Sequence, residues 1–140
     1  MEKKKRCTFF YVFNGSRRCG RVALVTGASV GIGASAAEEL VRSGMTVVGC
    51  ARDVEKMQKL AVELQAAGHS GVQVPFQCDL NSEEEILSMF AAIKEQHRGV
   101  DVCINNAGLA HPESLLNGKT SGCKNMLDEK LHIGNVLFEN

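Results

Sequence analysis

The run LVTGASVGIG, residues 24–33, sets Gly27, Gly31 and Gly33 between an apolar stretch and a helical pattern. A turn of this composition leaves main-chain N–H groups unshielded by Cβ atoms, and the helix behind it aims the positive end of its dipole at the same spot. The chemistry this suits is the capture of a phosphate. Gly27 permits the sharp turn out of the strand. Gly31 lets backbone approach a pyrophosphate, Gly33 allows close packing of helix on strand, and Ser29 adds a hydroxyl. A glycine pattern alone is a weak signal; strand before and helix after are what make this one informative.

The elements that must position the loop are legible in the alternation of patterns. RVALVT, residues 21–26, is a continuous apolar run with β-branched residues, as expected of a strand buried on both faces. Residues 31–43 carry Ile32, Ala36, Ala37, Leu40 and Val41 at helical spacing, with Gly44 as a stop. MTVVGCA (45–51) is a second strand. Asp53 is placed to N-cap a helix that runs to Ala67 and stops at Gly68. VQVPFQC (72–78) is a third strand, assigned to a sheet edge because Pro75 lacks an N–H. Ser82 and Glu85 form a capping-box pattern for a helix ending near Gly99, and VDVCINN (100–106) is a fourth strand. This β-α-β-α-β-α-β order with short connections predicts an α/β fold with a parallel sheet and right-handed crossovers. Beyond Gly108 one helical candidate stands out, roughly 124–132.

Composition removes several function classes. Lys plus Arg number 16, Asp plus Glu 16, so the net charge is zero, which argues against nucleic acid as a partner. No apolar run approaches the roughly 18 residues of a membrane span. The six cysteines form no CxxC pair, and the four histidines have no metal-ligand spacing with them, so no metal site is expected. The cysteines read as small buried hydrophobes with reduced thiols, which suits a cytoplasmic protein. The basic start and the apolar run Cys7–Phe13 make a weak copy of a secretory signal, with Arg17 and Arg18 where a cleavage site belongs.

The spacing T-G-x-x-x-G-x-G, followed by CDL at 78–80 and INNAG at 104–108, resembles the short-chain dehydrogenase/reductase family. The resemblance covers about residues 20–122. It implies a partial Rossmann fold, a doubly wound parallel sheet of about four strands in the order 3-2-1-4. It implies a nicotinamide dinucleotide as partner, with Gly27, Ser29, Gly31, Ile32 and Gly33 around the pyrophosphate and nearby ribose. Asp79 would accept from the adenine amino group and the Leu80 N–H would reach an adenine ring nitrogen. Asn105, Ala107 and Gly108 would lie beside the adenine-side ribose, with Asn105 also holding the fourth strand. An NAD site needs a carboxylate at the end of the second strand; this chain has Ala51 and then Arg52, whose guanidinium suits the 2′-phosphate of NADP. NADP is therefore expected over NAD.

The same resemblance defines what is missing. The family reduces or oxidises carbonyl and hydroxyl groups with a tyrosine as proton donor, a lysine four residues later, a serine and an asparagine. The one tyrosine here is Tyr11, upstream of the glycine loop, and Gly15 follows it at the lysine position. No catalytic residue is assigned. The family pattern decays from Cys123, where a tryptophan is expected. The chain thus divides into a divergent leader (1–20), a dinucleotide-binding half-domain (21–122) and a divergent tail (123–140). It reads as a C-terminally truncated NADP(H)-dependent carbonyl or ketosteroid reductase type that binds cofactor at most. The alternatives are a non-catalytic module that pairs with a full-length relative, or an unstable splice fragment.

Overall fold

The five residues Val22–Thr26 are all buried and form β1, an interior strand of a parallel sheet. In the computed structural model, residues 19–108 together with Thr120, Ser121 and Lys124 are described. β1 is flanked by β2 (Thr46–Ala51) and β4 (Val102–Ile104), and β3 (Val72–Gln77) pairs with β2. The order β3-β2-β1-β4 is the one expected, with every ladder parallel and Pro75 in an edge strand. Most of the leader and tail, Tyr11, and the helical candidate near 124–132 except Lys124 lie outside the described residues.

Strand alternation divides the core into two layers. Val22, Leu24, Val48 and Cys50 face one side of the sheet and pack against Ile86, Met89 and Ile93 of α3 (Glu83–His97). Ala23, Val25 and Val47 face the other, against Ala37 and Val41 of α1 (Gly31–Arg42) and Met57 and Leu64 of α2 (Val54–Ala66). Helices on both faces leave the C-terminal ends of the strands as the open rim. The helix ends close locally: the Ser43 and Gly44 N–H groups return to Glu39 O and Val41 O, each at 2.9 Å.

Four local expectations need correction. The fourth strand is three residues long, not seven. Asp101 turns its carboxylate back to accept the Val22 N–H at 2.8 Å, and Asn106 leaves the ladder to bond Thr26. Asp53 occupies the N-cap position of α2 but makes no side-chain cap; its carboxylate lies 3.4 Å from Lys56 Nζ instead. Ser82 does accept the Glu85 N–H, at 3.4 Å, but the Glu85 carboxylate reaches past the cap to the Asp79 N–H at 2.7 Å. Cys50, Cys78 and Cys103 are free thiols as expected, whereas Cys19, exposed ahead of β1 rather than packed in a strand, is disulfide-bonded.

One buried group opposes the fold. Gln73 is 6 % exposed, and neither its amide nitrogen nor its oxygen has a partner among the described residues. It lies over Gly49 beside Met57, where a Cβ on Gly49 would sit 3.5 Å from Gln73 Nε2 and 3.2 Å from Met57 Sδ. An unpaired buried amide costs about 1–3 kcal/mol. Gln73→Met keeps the length of the side chain and removes both orphaned atoms. It is expected to raise the thermal midpoint by a few degrees in a circular-dichroism melt (~1 kcal/mol on a domain of this size); a lower midpoint contradicts this account.

Candidate functional site

The rim of the sheet is built by four turns, one after each strand. After β1 the Gly27 N–H still donates to Cys50 O at 2.9 Å, so the chain stays attached to β2 while it turns. Gly27 makes the turn at φ +66°, and a Cβ there would stand 3.0 Å from Ala107 Cα and 3.1 Å from Asn106 Nδ2. Gly33 is held to glycine more strictly: a Cβ would collide with the Gly27 carbonyl oxygen. That contact is the close packing of helix on strand expected from sequence.

Thr26 and Asn106 fasten the first turn to the last. The buried Thr26 Oγ1 accepts the N–H groups of Asn106 (3.0 Å) and Ala107 (2.9 Å). Asn106 Nδ2 donates in return to Thr26 O (3.1 Å) and Gly27 O (3.3 Å). The Thr26 hydroxyl also lies 3.4 Å from Asn105 Oδ1.

Between the turns opens a cavity of about 330 Å³. Gly27, Ser29 and Val30 line it from the first turn; Ala51, Arg52 and Asp53 from the end of β2; Cys78, Asp79 and Leu80 from the end of β3; Asn106, Ala107 and Gly108 from the end of β4. A crevice at the C-terminal ends of parallel strands, where the order switches direction, is where open α/β sheets bind ligands. Of the residues expected at a site, Gly27, Ser29, Arg52, Asp79, Leu80, Ala107 and Gly108 line this cavity. Gly31, Ile32, Gly33 and Asn105 do not. Gly31 opens α1 at φ +60° with free space where a Cβ would stand, Ile32 is 82 % exposed beside it, and Gly33 and Asn105 support the turns from behind.

Sequence reasoning missed the two residues that bind the rim together. Asn105 was given a holding role and lies 3.4 Å from the Thr26 hydroxyl, while the side-chain donor to the Thr26 and Gly27 carbonyls is its neighbour Asn106. The partners stand 80 positions apart, and only the adjacency of β1 and β4 in the sheet signals the contact. Asp53 was expected to be consumed as a cap; it lines the cavity and is paired with Lys56.

The electrostatics of the rim are mixed. The exposed Arg52 guanidinium has no acidic partner among the described residues, while Asp53 is paired with the Lys56 ammonium. Asp79 Oδ1 accepts both the Asn81 N–H (3.0 Å) and Asn81 Nδ2 (3.1 Å), which orients the carboxylate. Beneath lie the thiols. Burial, then the neighbouring Cys78, pushes Cys50 up to about 12; burial, then Glu85 and Asp79, pushes Cys78 up to about 11; burial raises Cys103. They are protonated packing groups, not nucleophiles.

The family model described as short chain dehydrogenase matches residues 21–131. The chain belongs to the short-chain dehydrogenase family. Among curated relatives, dehydrogenase/reductase SDR family member 11 of Gallus gallus is 67 % identical over 80 % of the chain. Its Homo sapiens counterpart is 59 % identical over 77 %. The match spans 44 % and 42 % of those two proteins, so the chain corresponds to under half of their length. A solved metagenomic short-chain oxidoreductase in complex with NADP is 35 % identical at TM-score 0.66, with 82 % of this chain and 50 % of that one covered.

Two outcomes follow from the rim. Asn106→Ala leaves the Thr26 and Gly27 carbonyls without their side-chain donor and is expected to lower stability by about 1–3 kcal/mol in urea titration; an unchanged midpoint refutes the fastening role. The thiols set an alkaline limit. Folded values of about 12 for Cys50 and about 11 for Cys78 lie above their ordinary 9.0, so the unfolded chain loses protons first as pH rises. Stability contributed by the neutral thiols is complete below pH 9 and declines from there to about pH 12. Urea midpoints measured across that range should fall, and fall less in Cys50→Ala; equal slopes in the two proteins refute the assignment.

Proposed function

We propose that the cavity holds the adenosine and diphosphate part of NADP(H), and that this 140-residue chain by itself reduces no carbonyl. The observation that carries the reading is the charge arrangement at the end of β2. Arg52 stands at the cavity wall without an acidic partner among the described residues, while Asp53, the acid that would favour the ribose hydroxyls of NAD, is occupied by Lys56. A guanidinium with its fork of donors open suits a 2′-phosphate. The solved relative bound to NADP supports the same choice.

In this reading the Gly27–Gly33 turn and the start of α1 present N–H groups to the diphosphate, with Ser29 and Gly31 beside it and Ile32 over it. Asp79 accepts from the adenine amino group and the Leu80 N–H meets a ring nitrogen. Asn105, Ala107 and Gly108 flank the adenine-side ribose. NADPH supplies a hydride when bound. A carbonyl that receives one needs a proton at its oxygen, and the chain's one tyrosine, Tyr11, is not followed by lysine four positions on. A phenol of pKa near 10 serves as donor near neutrality only when a cation stabilises its anion. The free thiols Cys50, Cys78 and Cys103 suit the cytoplasm. No helix among the described residues is long and apolar enough to cross a membrane.

The measurement is calorimetric titration with NADPH and NADH, together with turnover of the purified chain on a panel of ketones and ketosteroids. Arg52→Ala is expected to weaken NADPH about tenfold and leave NADH unchanged, the loss of one charge-assisted contact. An unchanged ratio refutes the NADP choice, and ketone turnover that disappears in Arg52→Ala refutes the inactivity.

A second reading, pairing with a full-length relative, draws on the edge of β4, where Val102 is 37 % exposed and the strand pairs on one side only among the described residues. Size-exclusion chromatography of the two chains mixed tests it, and the absence of a shift rejects it.

A further inference from the structure

We infer that Glu85, a residue outside the cavity lining, is the positioning residue of the adenine-recognising turn. The inference rests on the proposed role of Asp79 and adds the element that sets it.

The pattern S-E-E-E at 82–85 predicts a reciprocal cap, in which the Glu85 carboxylate returns to the N–H of Ser82. That bond is not made. The Ser82 N–H donates to Asp79 O at 3.0 Å, closing a tight turn over residues 79–82. The Glu85 carboxylate is thereby released from the cap, and its Oε2 accepts the Asp79 N–H at 2.7 Å. The Asp79 peptide is thus clamped at both ends, its N–H by Glu85 and its C=O by Ser82. The Asp79 carboxylate is clamped separately, Oδ1 accepting twice from Asn81. Its Oδ2 has no hydrogen bond among the described residues and is the oxygen left for a ligand.

The turn between β3 and α3 is anchored by the burial of Cys78 and Leu80 in the layer under α3, which leaves the orientation of the half-buried Asp79 peptide between them to its hydrogen bonds. The Cys78 N–H also donates to Ala51 O at 3.1 Å. The Glu85 bond is charge-assisted and runs from α3, whose Ile86 and Met89 are fully buried. It therefore ties the Asp79 peptide to a rigid element. The consequence is base selectivity. A carboxylate fixed in place accepts from the 6-amino group of adenine but has no such donor in hypoxanthine, which carries a carbonyl there. A loose carboxylate discriminates less.

The test compares NADPH with its hypoxanthine analogue on the whole 140-residue chain by calorimetry. In the parent chain NADPH should bind more tightly than the analogue. Glu85→Ala is expected to reduce that preference about tenfold, the loss of one charge-assisted bond. Glu85→Gln, which keeps an acceptor for the Asp79 N–H, should restore most of it. Because losing the tie between α3 and the Asp79 turn can also lower stability, the Asp79 amide is followed by NMR without nucleotide: it should move upfield in Glu85→Ala and little in Glu85→Gln. In Asp79→Ala the preference should vanish, and adding Glu85→Ala to it should change nothing more. A preference unaltered in Glu85→Ala, with Asp79→Ala still abolishing it, overturns the positioning role and leaves the adenine reading standing. A preference unaltered in Asp79→Ala overturns the adenine reading and this inference with it.

Discussion

The paired hydrogen bonds between Thr26 and Asn106 are the constraint on which the rim depends. Each strand end in a parallel sheet hands its chain to a turn, and nothing in the ladder itself fixes where that turn goes. Here Thr26 spends its hydroxyl on the N–H groups of Asn106 and Ala107, and Asn106 spends its amide on the carbonyls of Thr26 and Gly27. The result is that the glycine turn and the turn after β4 move as one body. Gly33 then has no room for a side chain, because Gly27 O and Asn106 Nδ2 already occupy its approach. The start of α1 is located by those same contacts, so the direction in which its free N–H groups point is inherited from a threonine hydroxyl.

The wall formed by β2 and β3 obeys a different rule. It is shaped by charged side chains on exposed turns rather than by buried hydrogen bonds, and each charge is defined by its neighbour. Asp53 is answered by Lys56, Asp79 by Asn81, and the Asp79 peptide by Glu85. Arg52 alone is left without an acid among the described residues. A chain whose total charge is zero can in this way still present one guanidinium with no acid against it among the described residues, since what a ligand meets is the arrangement of a few groups.

How much of this was legible in the sequence divides along the same line. The strands and helices and the edge position of β3 came from hydrophobic period, glycine stops and Pro75, all of which are local signals, whereas the order of the strands in the sheet came from the family resemblance. The glycine turn was legible because its demands on backbone and space are local too. The errors lie where a side chain has two partners to choose from. Asp53 fits a cap and an i,i+3 ion pair, and the pair is what forms. Glu85 fits a capping box and a bond to Asp79, and the turn closed by Ser82 decides for the second. Asn106 was not singled out at all, because nothing local marks it as the amide that reaches Gly27, and only the geometry of β4 beside β1 brings it there.

Nucleotide capture and hydride chemistry make unequal demands on a fold. Capture uses main-chain N–H groups, a helix end and one cation, and these are available wherever four strand ends meet in the right order. Reduction of a carbonyl requires in addition a side chain whose proton affinity has been moved, and that needs a second charged group held against it. In the part of this chain that forms the rim, the only large shifts belong to buried thiols, and their direction is towards inertness. On the proposed reading, the rim carries the nucleotide-capturing half of that chemistry on local structure alone.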